Sequence, residues 1–145
     1  MADLKLIAMD DADLAVISAH VQDAVCKPAM FEYTPASRQF SLVLNRFSWD
    51  AAKNERKDSY QRHGSVLTFA GVNAVRTRGI QRGSEEQVLS LLAVQFSADN
   101  APAGTIEIVF SDGPILQLDV ECIEVRLNDL GSAWETKFKP RHPLA

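Results

Sequence analysis

Five side chains hold the chemistry that can be read most directly from the sequence: Arg46, Trp49, Arg76, Arg78 and Arg82. The run Asn45-Arg46-Phe47-Ser48-Trp49 brings polar, cationic and aromatic groups together at the end of a strand. A guanidinium donates paired hydrogen bonds to a phosphate or carboxylate, and an indole ring stacks on a ligand. The run therefore reads as a pocket rim in which Arg46 grips an anion and Trp49 stacks. Against this stands a structural reading, the commoner use of aromatics: Phe47 and Trp49 close one end of the core while Arg46 pairs with an acid. Arg76 and Arg78 are two residues apart and share a face if they lie on a strand, with Arg82 just beyond. They suit bidentate contact with a small anion. The competing expectation is a solvated sheet face whose charge is absorbed by Glu107, Asp119 and Glu121.

The segment 50–63 adds Lys53, Arg56, Lys57, Tyr60, Arg62 and His63. Cations mixed with an aromatic suit nucleic acid. The whole chain, however, has a net charge of −4 and a pI near 5.3, far from a basic footprint. Nucleic acid is therefore not an expected partner, and the segment is read as a solvating loop. His20 lies off the apolar stripe of its helix and is read as a surface residue. Cys26 and Cys122 are too few for a disulfide framework and have no ligand-like spacing, so both are read as small half-buried apolar residues. The sequence has no HExxH, CxxC, GxSxG or glycine-rich phosphate loop. No catalytic residue, metal or cofactor is assigned.

These residues sit in a chain of 145, the size of one domain, with 46% apolar and 23% charged residues. No apolar run approaches the roughly 18 residues of a membrane span, and no membrane partner is expected. The start, MADLKLIAMDD, lacks the regions of a secretory signal, which leads to an expectation of a cytoplasmic protein. Charge is uneven. Residues 46–82 carry eight basic and three acidic side chains, whereas 83–134 carry one basic and nine acidic. The only asymmetry that bears on partners is this central positive island.

The elements that must position the arginines follow from periodicity. Asp10 or Asp11 can cap a helix, with Asp13 in its first turn. Leu14, Ile17, Val21 and Val25 recur at helical spacing, which predicts about four turns ended by Pro28. Leu4–Ile7 suits a short strand. From residue 29 the period becomes two. Phe31 and Tyr33, then Phe40, Leu42 and Leu44, predict a hairpin. Val66–Phe69 and Val72–Ile80 predict two more strands. Val88–Phe96 is almost continuously apolar and suits a central strand buried on both faces, with a helix as the alternative. Ile106, Ile108 and Phe110, the Asp112-Gly113 turn, then Leu116, Leu118 and Val120 predict a second hairpin. Ile123, Leu127 and Leu130, followed by Gly131, predict a C-terminal helix over 122–131. The tail 135–145 is basic and contains two prolines, as a frayed end would.

The expected fold is α+β in a single domain spanning 1–145. It comprises an N-terminal helix region over 1–28, about seven antiparallel strands over 29–121 in a curled sheet or half-barrel, and the C-terminal helix. That outline is pleckstrin-homology-like; an antiparallel sheet packed on both helices is the alternative.

Four segments carry a resemblance: LIAMDDADLAVISAHVQDA (6–24), FSLVLNRFSW (40–49), VLSLLAVQF (88–96) and APAGTIEIVFSDGPILQLDVECIEVRLNDLGSAW (101–134). Together they resemble the alphaproteobacterial family known as domain of unknown function 2948, over Leu4 to Trp134. The resemblance implies a small, bacterial, cytoplasmic, single-domain protein and brings no activity, ligand or site residue with it. The leading functional expectation is a non-enzymatic binding module with a protein partner or self-association. The alternatives are an enzyme or enzyme subunit holding a small anionic, phosphorylated ligand through the arginines, and a weak nucleic-acid binder.

Overall fold

The computed structural model describes residues 4–47 and 62–130, with the side chains of Phe47, Arg62 and His63 left aside. Trp49, most of the basic segment 50–63, Gly131 and the tail 135–145 lie outside the described residues. In chain order the elements are β1 (Lys5–Ala8), α1 (Asp11–Val21), β2 (Val25–Cys26), a 3-10 turn (Pro28–Met30), β3 (Phe31–Thr34), β4 (Gln39–Phe47), β5 (Arg62–Phe69), β6 (Val72–Arg78), β7 (Leu89–Asn100), β8 (Ala103–Phe110), β9 (Ile115–Val120) and β10 (Val125–Asp129). The ten described strands make one antiparallel sheet in the order β1-β10-β5-β4-β2-β7-β8-β9-β6, with β3 also on β4. The sheet is not closed, because β1 and β6 end the order.

Side-chain alternation makes the core. Leu6, Leu127, Leu67, Leu42 and Phe31 stand in one row across five strands, and Ala8, Val125, Phe69, Phe40 and Tyr33 in the next. In the other half of the sheet, Val94, Ile108 and Leu116 line up, as do Phe96, Ile106 and Leu118. Both halves feed one hydrophobic cluster with Leu14, Ile17 and Val21 of α1. The chain crosses between the halves twice, after β5 and after β9. The two crossings are tied together by the Glu121 N–H to the Gly71 carbonyl (3.1 Å) and the Ala70 N–H to the Glu124 carbonyl (3.0 Å). Gly71 takes φ +66° at that corner, a conformation that favours glycine.

Three expectations are corrected. The segment 122–131 is not a helix. Ile123, Val125 and Leu127 also alternate at period two, and all three are buried as β10 and its approach. A strand here pairs with β1 on one side and β5 on the other, satisfying two edges that a helix would leave open. The pleckstrin-homology-like outline rested on that helix, and the described residues hold one α-helix only. That helix is shorter than expected. It is capped by the Asp10 carboxylate accepting from the Asp13 N–H at 2.8 Å, but it ends at Val21, where Asp23 at φ +70° turns the chain; Val25 belongs to β2. Finally, β7 is a strand but not one buried on both faces. A bulge between Leu91 and Ala93 leaves Leu92 42% exposed, and Val88 just before the strand is 61% exposed.

Gly104 of β8 is where the backbones press closest. A Cβ there would collide with the Ser97 carbonyl oxygen and come within 2.7 Å of the Phe96 ring. Gly104→Ala is expected to lower stability by about 1–3 kcal/mol, as overpacking does. Urea unfolding of the variant against wild type measures this, with an unchanged midpoint as the contrary result.

Candidate functional site

The two arginine groups expected from the sequence fall in different surroundings. Arg46 lies on β4 at inward parity with Leu42 and Leu44, and its side chain is buried. Its Nε donates to Asp129 Oδ1 at 3.0 Å and its Nη2 to Oδ2 at 2.7 Å. The same carboxylate accepts from Ser65 Oγ at 2.6 Å and from the Leu4 N–H at 3.0 Å. This cluster continues the inner rows, since Asp129 pairs with Ser65 and Ser65 with Leu44. Three strands, β10, β5 and β4, and the residue just before β1 thus meet at one carboxylate. Burial pushes the Asp129 carboxyl up. The hydrogen bonds from Arg46, Ser65 and Leu4, with the Arg46 charge, outweigh burial and hold it below the usual carboxylate range.

Arg76 lies on β6, an edge strand, with its side chain half exposed. Its Nη1 and Nη2 donate to Asp119 of β9 at 2.6 and 2.8 Å, and its Nε donates to Gln117 Oε1 at 3.4 Å. Gln117 passes a bond on to Glu107 at 2.9 Å, and Thr105 Oγ1 donates to Asp119 at 3.4 Å. These groups stand in register on the outer face: Gln95, Glu107, Gln117 and Arg76 form one row across four strands. With Phe96, Ser97 and Thr105 they line an open cleft of about 280 Å³. The hydrogen bond from Arg76, helped by its charge, holds the Asp119 carboxyl low despite some desolvation. The acids of 107–121 therefore do take up cations: Asp119 holds Arg76, and Glu121 pairs with Arg38.

Arg78 shares the exposed parity of Arg76, and Arg82 sits in the turn after β6; neither forms an ion pair with a described residue. The structure brings Arg76 and Arg78 to one face and sets Arg46 apart on β4 with its own acid. Sequence reasoning missed Asp129 and Ser65 as the partners of Arg46. The signal was the parity of Val125, Leu127 and Asp129, hidden by reading that segment as helical.

The other reactive groups are quiet. Burial pushes the Cys26 thiol up to about 12, so it carries no thiolate at neutral pH. His20 is exposed, with its Nδ1 3.0 Å from the Val16 carbonyl oxygen of its own helix. Among the described residues no group of three or more His, Cys, Asp or Glu could hold a metal ion, and no helix is long and apolar enough to cross a membrane.

A different surface stands out by exposure. Among the described residues the large apolar side chains left exposed are Ile7 (57%), Met9 (60%), Val16 (48%), Val88 (61%) and Leu92 (42%). Ile7 is in β1, Met9 in the turn that follows it, Val16 in α1, Val88 just before β7 and Leu92 in β7, and α1 packs on both strands. The Asp23 N–H donates to the Leu91 carbonyl, the Leu91 N–H to the Ala24 carbonyl, and the Val94 N–H to Ser18 Oγ at 2.9 Å. These bonds lay Leu91–Val94 beside the end of the helix. At about 100° per residue Val16 points roughly 200° away from Leu14. Ala12, Ala15 and Ala19 lie to one side of it and Asp13 and His20 to the other, all exposed. The outer side of the helix thus presents Val16 and three alanines beside one carboxylate and one imidazole, fewer polar groups than an ordinary surface helix turns outward.

The two salt bridges differ in burial, and so in what breaking them costs. Asp129→Asn leaves a buried guanidinium without its counter-charge and is expected to lower stability by about 3 kcal/mol, whereas Arg76→Ala costs under about 1 kcal/mol because that pair is solvated. Denaturant titrations of both variants measure this, and equal losses would contradict it. Because the folded Asp129 carboxyl titrates below its unfolded value of about 3.9, its contribution is full above that pH and is lost as pH falls through the folded value. Asp129→Asn is accordingly expected to flatten the fall in stability below about pH 4. A pH series of unfolding midpoints reads this directly.

No curated protein and no solved structure matches the chain. The pattern of the family described as "Protein of unknown function (DUF2948)" matches residues 4–142, which takes in every described residue. The chain belongs to that family.

Proposed function

We propose that this chain is a non-enzymatic, cytoplasmic protein-interaction module that binds through the outer side of α1 and the adjoining β1 and β7. The observation that carries this reading is the confinement of the exposed large apolar side chains to that one region of the described surface. Single exposed apolar residues are ordinary on any protein, but a group gathered about one helix marks a surface built to be covered. Burying an aliphatic side chain is worth about 1.5–3 kcal/mol, so a partner that covers Val16, Leu92 and Met9 gains substantially. The arginines support the reading from the other side. Arg46 and Arg76 already hold Asp129 and Asp119, so a ligand anion would have to displace a protein carboxylate.

The test is site-specific crosslinking in cells, with benzoylphenylalanine in place of Val16 and, as control, in place of Gln117 on the polar outer face of β9. Position 16 is expected to give a discrete adduct heavier than one chain, and position 117 none. Adducts at neither position, or the same adducts at both, would overturn the reading.

A further inference from the structure

We infer that the partner seated on the outer side of α1 is a basic amphipathic segment of another protein, with apolar residues flanked by Lys or Arg; this rests on the interaction reading above. The apolar strip is bounded at both ends by carboxylates. Asp10, Asp11 and Asp13 stand at its N-terminal end and Asp23 at the other, all exposed. Between them the helix carries one titratable group of the opposite kind, His20, turned back on the Val16 carbonyl. The neighbouring cations are Lys5 of β1, Lys27 before the 3-10 turn and Arg126 of β10, and Arg126 already lies 3.8 Å from Glu124. The helix itself is therefore acidic around an apolar centre.

Three features select the occupant. The carboxylates attract a cationic partner and oppose an anionic one. Ala12, Ala15 and Ala19 present no long side chains, so a partner backbone can approach closely and drop its own apolar side chains beside Val16. A second copy of this chain would bring two sets of the same aspartates together about an isologous contact, which the charges disfavour. The same charges oppose an anionic lipid surface.

The experiment uses the full chain and two labelled synthetic amphipathic helical peptides with an identical leucine face, one with lysine and one with glutamate at every polar position. Binding is read by fluorescence anisotropy at low and high salt. The lysine peptide is expected to bind at least about tenfold tighter than the glutamate peptide, and to lose that margin at high salt. Val16→Gln with Ala19→Gln alters exposed positions only and is expected to weaken the lysine peptide by at least about tenfold. Asp11→Asn with Asp23→Asn leaves the Asp10 cap in place and is expected to weaken it by about threefold. Equal binding of both peptides, abolished by the glutamine pair, would overturn the basic partner while leaving the interaction reading standing. Binding indifferent to the glutamine pair would overturn both, and absence of binding by either peptide would overturn the basic partner. Sedimentation supplies the remaining arm: a wild-type dimer dissociated by the glutamine pair would give the face to a second copy and overturn the basic partner.

Discussion

The seating of β10 between β1 and β5 is the constraint on which the rest of the molecule depends. Every strand carries backbone donors and acceptors on both edges, and those inside a core must be paired. β1 has no described strand neighbour other than β10, so without it the N-terminal strand has no place in the sheet. α1 follows β1 after a short turn, and its position against β7 inherits that anchoring. At the end of β10 the Asp129 carboxylate gathers Arg46, Ser65 and the Leu4 N–H. One short strand therefore fixes the chain's beginning, the long β4 and the lower rim of the core together.

The two ion-paired arginines show how burial changes what the same chemistry does. Arg46 and Arg76 each grip a carboxylate in bidentate fashion. For Arg46 the pair is closed from water, and neither member can change without stranding the other. For Arg76 the pair sits on an open face, where solvent screens it and the neighbouring Gln117 and Thr105 share the bonding. The central positive island in the sequence is thus divided between a structural lock and a solvated polar ladder. The surface around α1 has the opposite character: among the described residues, nothing covers its exposed apolar side chains.

Much of the fold is legible in the sequence. The Asp10 cap, the stripe of Leu14, Ile17 and Val21, the hairpin from Phe31 to Leu44 and the turn at Asp112-Gly113 all come from local rules that act within a few residues. The end of α1 was not legible, because Val25 keeps helical spacing with Val21 while belonging to β2. The segment 123–130 was ambiguous for a similar reason. Ile123, Leu127 and Leu130 fit a helix, and Ile123, Val125 and Leu127 fit a strand. Only the open edges of β1 and β5 choose between them. Of the site residues, the shared face of Arg76 and Arg78 followed from their spacing and its acid from the nearby hairpin, whereas Arg46 meets an acid 83 residues further along the chain.

By itself, the sequence determined the alternation and the helical stripe, and with them which side of each element is oily and where the tight turns fall, because backbone sterics and local hydrophobic spacing act over short distances. Only the tertiary structure decided which strand lies beside which, which carboxylate each arginine takes, and that the outer side of α1 is exposed among the described residues. Those outcomes depend on pairing backbone edges and burying charge between residues far apart in the chain, and no local pattern records such a choice.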